Sequence, residues 1–497
     1  MTTVDRGTAA RPGAEGSASR RIPFPTVDEI SRHCLQDEDP ETVHIEAHLP
    51  ARPDPGRLRA AFHQALLRHP RILVRQAPSA WWRRRYEWEQ TGEPDTDPVA
   101  FPPRGADALV RARERALADC PPLSASPPVR LDVVTGADGT GGGCILLLTI
   151  NHTALDGPAC LRVLATAAEL YGGRDNSPAR AAPPAPRRAK PAPGPAPEPA
   201  SGRRGRGRPV RVAASTAAPA HGNGMLLAEL PVPGRPHRDS GGGAPYTVND
   251  QLLVATRLMV ARWNLLRAAP TRPVRITMPV DDRTRGSDMP IGNGTRLVDV
   301  GFGADEPLDE AALTAERPDP AAVARLLRRT AARTRTLKST SGPQLGLGET
   351  LLTAPVLPVG VRAAVTRGLR RAAAPWASTT LLSNIGRLPY PLDFGDAGRA
   401  DAVWFSAPAR MPRGLTVTTA STGGRLHVAL RWSRALLDDA AGAELAEIFT
   451  RALDATSATP AHPTDSTGSI DPTNSTDPTD TTDTTDPTDL RRPKEGT

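Results

Sequence analysis

The chain predicts a mixed α/β protein built as two lobes, and three observations carry that expectation. Strand-like and helix-like apolar patterns alternate on both sides of a Pro/Ala/Arg-rich stretch, so each half reads as helices over a sheet. A length of 497 residues with 38% hydrophobic composition can bury a core large enough for two lobes. The run Ile145 to Gly157, ILLLTINHTALDG, passes from an apolar strand through a polar loop into a helix.

Taken in order, residues 1–21 read as disordered, with no apolar core of the kind a secretory signal needs. Arg57 to His69 carries Leu58, Ala61, Phe62, Ala65 and Leu66 at helical spacing, an amphipathic helix against a sheet. Trp82, Tyr86 and Trp88 fall at period two, which predicts one packed face of a strand with Arg83 to Arg85 outside. Val129 to Val134 and Cys144 to Ile150 should pair across the Gly139 to Gly143 turn. Pro158 then opens the helical pattern Ala159 to Leu170, where its missing N–H costs nothing. The first lobe is thus expected over 22–172.

Residues 173–222 are dominated by Pro, Ala and Arg. Such a composition cannot offset about 1–2 kcal/mol of backbone entropy per residue, so it reads as a flexible tether. The second lobe is expected over 223–455. Its strands are Met225 to Val232, Val274 to Pro279, Thr295 to Phe302, Thr379 to Asn384, Val403 to Ser406, Leu415 to Ala420 and Arg425 to Trp432. The last alternates as a half-buried strand would. Its helices are Val248 to Leu266, capped by Asn249 or Asp250, then Ala321 to Leu337 and Leu436 to Leu453. Residues 456–497 repeat Asp, Thr and Pro and should stay solvated.

Composition excludes several classes. No run approaches the ~18 apolar residues of a membrane span, which predicts a soluble protein with no membrane partner. The net charge of +8 owes much to the tether, whose Arg/Gly repeat at 204–208 lacks interleaved aromatics, so no nucleic acid is expected. His33, His44, His48 and His63 form no metal set with carboxylates or cysteines. Gly139 to Gly143 and Gly241 to Gly243 lack the Lys-Ser/Thr of a phosphate loop. Cys34, Cys120, Cys144 and Cys160 are scattered, as reduced thiols of a cytoplasmic protein would be.

Several stretches in series carry a family resemblance. NHTALDG at 151–157 resembles the HHxxxDG signature of nonribosomal-peptide condensation domains and their chloramphenicol-acetyltransferase-like relatives, among them polyketide-associated acyltransferases and wax ester synthases. Phe24 to Leu49 resembles the opening helix and strand of that superfamily, and Tyr246 to Trp263 its Asn-Asp helix. Val274 to Arg285 resembles the PVDLR strand, Ile291 to Val298 the following Gly-Asn segment, and Leu381 to Leu388 the Ser-Asn-x-Gly strand. The likeness spans roughly residues 22 to 455. It implies two acetyltransferase-like lobes, in pseudo-dimeric arrangement around a central channel. Asn151 departs from the pattern, standing where the first histidine of the signature usually sits.

The same resemblance supplies candidate chemistry. An imidazole has an ordinary pKa of ~6.5, so His152 can take a proton from an amine or hydroxyl acceptor near pH 7. A histidine merely satisfied at a strand end is the plainer alternative. The family implies that Asp156 points away and pairs with an arginine, Arg283 being the candidate and Arg285 standing behind it. Gly157 allows close backbone approach at a helix N-terminus, where developing negative charge is favoured. Ser383, Asn384 and Asn151 are candidates for lining the channel or donating to the oxyanion; a polar turn at a strand end is their alternative. Asn293 stays open between substrate contact and a structural role. The resemblance implies a free-standing condensation-like acyltransferase of natural-product biosynthesis. Its donor would be an acyl thioester of phosphopantetheine on an acyl or peptidyl carrier protein, or of coenzyme A, with no permanently bound cofactor. The chain is expected to act as a monomer on a small-molecule amine or alcohol. Two rivals stay open: an acyl-CoA-dependent alcohol O-acyltransferase, and a degenerate module that only recruits a partner.

Overall fold

The apolar run that opens the signature becomes the middle of a sheet. In the computed structural model, which describes residues 20–35, 40–136, 142–178, 207–234, 244–270, 273–283, 288–303, 310–339 and 347–457, strand Cys144–Asn151 is buried at every position. It lies antiparallel to Thr42–Leu49 on one side and Val129–Thr135 on the other. Alternate residues point to opposite faces of a strand. Leu146, Leu148 and Ile150 therefore join the main core, with Leu58 and Phe62 of helix Pro55–Arg68 and Leu161 and Leu164 of helix Gly157–Gly172. Ile145 and Leu147 face the other way, onto Ala112 and Ala116 of helix Ala108–Ala118. A strand covered on both faces has no reason to alternate, which is why it reads as one continuous apolar run.

This sheet has five strands, in the order Ala402–Ser406, Thr42–Leu49, Cys144–Asn151, Val129–Thr135 and Val99–Ala100. Its first strand comes from the second half of the chain. A six-stranded sheet forms that second half, in the order Thr295–Phe302, Val274–Asp281, Thr380–Arg387, Leu415–Thr422, Arg425–Ser433 and Asn223–Pro231. Helices Val248–Leu266, Pro320–Ser339 and Asp439–Ser457 supply its core with Leu252, Met259, Trp263, Leu326, Leu445 and Phe449. A three-stranded sheet, Arg20–Pro23, Glu87–Gln90 and Val74–Gln76, completes the described strands.

The halves are tied together by buried polar groups. The Arg431 guanidinium, 1% exposed, donates to the Thr42 carbonyl at 2.6 Å, the Thr42 hydroxyl at 3.0 Å and Asn223 Oδ1 at 2.6 Å. The Trp404 indole, on the strand lent to the five-stranded sheet, donates to the Ala228 carbonyl of the six-stranded sheet at 3.0 Å. These contacts correct the half-buried reading of Arg425–Ser433: its polar alternates His427 and Arg431 are also buried, because that face meets Trp404 and the first half.

Other expectations change with the packing. Residues 207–222 read as tether, yet they lie against the second half. Val210 and Val212 are buried, Val210 N–H donates to the Pro273 carbonyl, and Asn264 Nδ2 donates to the Arg211 carbonyl at 2.8 Å. Two valines at period two were masked by a Pro/Arg-rich neighbourhood. Just after the first half's last helix, Asn176 exchanges hydrogen bonds with the Asp393 backbone at 2.8 and 3.0 Å. The disordered N-terminal reading ends early, since Arg20 and Arg21 already pair with Gln90 and Glu89. Trp82 is not in a strand: Trp81 and Trp82 sit in a turn, 66% and 63% exposed, while Trp88 in the strand is buried and stacks on Phe24 at 4.0 Å. The helix Val248–Leu266 is capped by Thr247, in a reciprocal capping box with Asp250, while Asn249 lies inside it. Residues 1–19, most of the tether, Gly139 to Gly141, Gly241 to Gly243, Arg285 and the tail beyond Ser457 lie outside the described residues. Among the described residues no helix is long and apolar enough to cross a membrane, and no cluster of three metal-ligating side chains occurs.

Candidate active site

The signature loop opens onto a cavity of about 240 Å³ between the two halves. The first half contributes Glu41, Val43, His152, Asp156, Gly157 and Pro158; the second contributes residues from Pro279 to Thr418, including Leu297, Ser383, Asn384 and Phe405. The loop is positioned from both ends. Strand Cys144–Asn151 stops at Asn151, and Asp156 caps the following helix by accepting from Ala159 N–H at 3.0 Å.

His152 is partly exposed, its backbone N–H donating to the Glu41 carbonyl at 2.8 Å. Its Nδ1 stands 3.0 Å from the Leu155 carbonyl oxygen. A carbonyl can only accept, so Nδ1 carries the proton of the neutral ring and Nε2 keeps the lone pair. That tautomer is the one a base needs.

Asp156 does not touch the imidazole in this arrangement. Its Oδ2 accepts from Arg283 Nη2 at 2.8 Å and from Gly294 N–H at 2.9 Å. Arg283 is saturated: Nε and Nη2 also donate to Asp281 at 2.9 and 3.2 Å, and Nη1 to the Pro290 and Gly292 carbonyls at 3.3 and 3.0 Å. Burial works against its charge, but the Asp281 hydrogen bonds and the two carboxylate charges hold the guanidinium above its usual range. A Cβ at Gly294 would overlap that guanidinium, which explains a glycine there.

Asn293 completes the clamp from the second half. Its Nδ2 donates to the His152 carbonyl at 3.2 Å, the Thr153 carbonyl at 3.0 Å and Asp28 Oδ1 at 2.9 Å. Burial pushes the Asp28 carboxyl up to about 6, against the lowering effect of hydrogen bonds from Asn293 and Trp88. The Asn-Gly pair of IGNG thus fixes the signature loop from across the cavity.

The other candidates separate. Gly157 lines the cavity, and its α-carbon faces Phe405 so closely that a Cβ would lie 3.3 Å from the ring. Ser383 and Asn384 line it too. The Asn384 amide is engaged, accepting from Gly386 N–H at 2.9 Å and Thr419 Oγ1 at 3.1 Å, and donating to Asn249 Oδ1 at 3.3 Å. Asn151 is buried away from this cavity, donating to the Pro121 carbonyl at 2.9 Å and accepting from Thr153 N–H at 3.0 Å. It borders a separate hollow of about 810 Å³ with Cys120, Gln76 and Glu41, the last shared with the cavity. Sequence reasoning missed Asp28, Glu41 and Arg413, which no local pattern brings together.

No protein-family model matches the chain. Two Mycobacterium tuberculosis proteins described as uncharacterized, Rv2305 and MT2362, are each 27% identical over 383 residues, covering 74% of this chain and 84% of theirs. Among solved structures, trichothecene 15-O-acetyltransferase TRI3 from Fusarium sporotrichioides superposes with a TM-score of 0.57 at 13% identity, covering 90% of this chain and 97% of that one. The condensation domain of the monacolin K polyketide synthase MokA gives 0.57 at 14% identity, covering 89% and 98%. This chain has the condensation-domain fold. The starter condensation domain of rhizomide synthetase RzmA, solved in complex with C8-CoA, gives 0.56 at 15% identity over 88% and 94%. Condensation-like architecture is thereby shared with proteins that are only 13–15% identical in sequence.

Proposed function

We infer that this condensation-like chain transfers an acyl group from a thioester to an amine or hydroxyl acceptor, with His152 as general base. The observation that carries the reading is the tautomer imposed on His152, whose Nδ1 is tied to the Leu155 carbonyl while the ring borders a cavity between two halves. Nε2 takes the proton as the acceptor attacks the thioester carbonyl. The new C–N or C–O bond forms, the C–S bond breaks, and the imidazolium returns its proton to the departing thiolate. Gly157, at the N-terminus of its helix, lines the cavity where negative charge would develop, with Ser383 nearby as a second-half donor. Asp156 and Arg283 keep the loop in shape rather than relaying protons.

The donor in this reading is an acyl-carrier or peptidyl-carrier thioester, or acyl-CoA; no resident cofactor takes part. The acceptor is a small molecule, and natural-product assembly is the setting. An alcohol O-acyltransferase is the alternative, supported by the likeness to TRI3. Turnover of the full chain should be compared with acyl-CoA and acyl-carrier donors against amine and alcohol panels. His152→Ala should lower turnover by about 10²–10⁴ without loss of fold. Unchanged turnover in that variant would refute the base assignment and leave a recruiting role.

A further inference from the structure

One cation in the cavity has no role in acyl transfer as described. Arg413 lies in the loop between strands Ala402–Ser406 and Leu415–Thr422 and borders the same cavity as His152. Its Nη1 is buried without a hydrogen-bond partner, and among the described residues no carboxylate pairs with it. The nearby Arg410, by contrast, is paired with Glu41.

The surroundings make an unpaired cation costlier. Burial first, then the charges of Arg410 and Arg370, hold the Arg413 guanidinium down at about 10; Arg211 adds to this and Asp299 alone opposes it. Asp299 is itself engaged by the Thr277 hydroxyl at 2.8 Å. A guanidinium with its Nη1 buried and unpartnered beside a cavity, in net positive surroundings, calls for an anion.

Two hydroxyls border the same space. Ser406 and Thr418 are 1% and 2% exposed, both line the cavity, and neither Oγ has a partner. Each can turn its O–H toward an acceptor. One comes from the first-half sheet and the other from the second, with Arg413 in the loop between them. A guanidinium fork with flanking hydroxyl donors matches the planar, two-oxygen geometry of a carboxylate.

We propose that Arg413, Ser406 and Thr418 form a carboxylate-binding subsite in the cavity, so that one of the two substrates carries a free carboxylate. This rests on the acyl-transfer reading for what a substrate is, but not on His152 for binding. The carboxylate sits either on the acyl group or on the acceptor.

Calorimetric titration of the full chain with two matched pairs tests it: succinyl-CoA against butyryl-CoA, and L-phenylalanine against L-phenylalanine amide. In the wild type, the carboxylated member of at least one pair should bind about tenfold tighter or more, as expected for a charge-assisted bidentate contact. Preference in the first pair places the carboxylate on the acyl group, and in the second on the acceptor. Arg413→Gln should abolish the preference while leaving the neutral member's affinity unchanged; Arg413→Lys should keep part of it. If Arg413→Gln does not fold, Thr418→Val should narrow the gap instead. His152→Ala should retain the preference, so failure of the base assignment appears separately, as unaltered turnover in that variant. Absence of any preference in both wild-type pairs overturns the proposal. So does an Arg413→Gln variant that weakens neutral and carboxylated ligands alike.

Discussion

Replacing Arg283 with methionine removes the guanidinium and keeps most of the side chain's length, so the loss is mainly of charge and hydrogen bonds. Asp156 and Asp281 are 3% and 8% exposed at their side chains, and both depend on Arg283. Asp156 would keep the N–H groups of Ala159 and Gly294, whereas Asp281 would lose both of its contacts with the guanidinium. Breaking a buried ion pair by deleting one partner costs roughly 3–5 kcal/mol, so Arg283→Met should fall in that range. Asp156→Asn keeps an oxygen for one of its donors and should cost less, about 1–3 kcal/mol. Urea unfolding followed by circular dichroism measures both, and the double variant completes a cycle. The two changes should be non-additive, because Arg283 no longer has the Asp156 charge to lose. A cost below about 1 kcal/mol for Arg283→Met, or strict additivity, would refute the view that this pair holds the loop.

Gly294→Ala should destabilise the fold and lower activity together, because the new methyl displaces the Arg283 guanidinium from Asp156; the same unfolding assay and turnover check it. Asn293→Ala leaves the His152 and Thr153 carbonyls without their shared donor, with an expected loss of about 1–3 kcal/mol in the unfolding free energy. Asp28 and His44 should give opposing pH dependences. With its folded pKa raised to about 6, Asp28 contributes stability present below its usual value of 3.8 and lost as pH rises through 6. Burial, followed by the Arg431 charge, lowers His44 to about 3, so its contribution is present above its usual 6.5 and lost as pH falls toward 3. Stability curves between about pH 4 and 7 for Asp28→Asn and His44→Leu should each lack one of these slopes.

Much of this architecture was legible where one element carries its own pattern. Cys144–Asn151 announces itself by an uninterrupted apolar run, and Val248–Leu266 and Thr295–Phe302 match their expected bounds. The capping residue of Val248–Leu266 differs from expectation, because Asn249 and Asp250 both suit a cap while the deciding feature is reciprocity between Thr247 and Asp250. Val210 and Val212 were lost in a stretch whose average composition says tether, although two well-placed valines suffice to dock it. His152, Asp156, Gly157 and Arg283 come from motifs and meet in space, through the Asp156–Arg283 bond and a shared loop. Glu41, Arg413 and Ser406, which all line the cavity, belong to no local motif. They come together only because separate strands and loops converge on one place, and neither hydropathy nor spacing encodes that.

The strand Ala402–Ser406 lends the first sheet an edge that the first half cannot make for itself. Severing the chain between 179 and 206 would yield a front fragment whose strand Thr42–Leu49 shows an unpaired border, a template for aggregation. Its rear counterpart would carry an orphaned ribbon seeking the missing neighbour. Produced together, such pieces have every reason to reassemble; produced apart, neither should remain in solution.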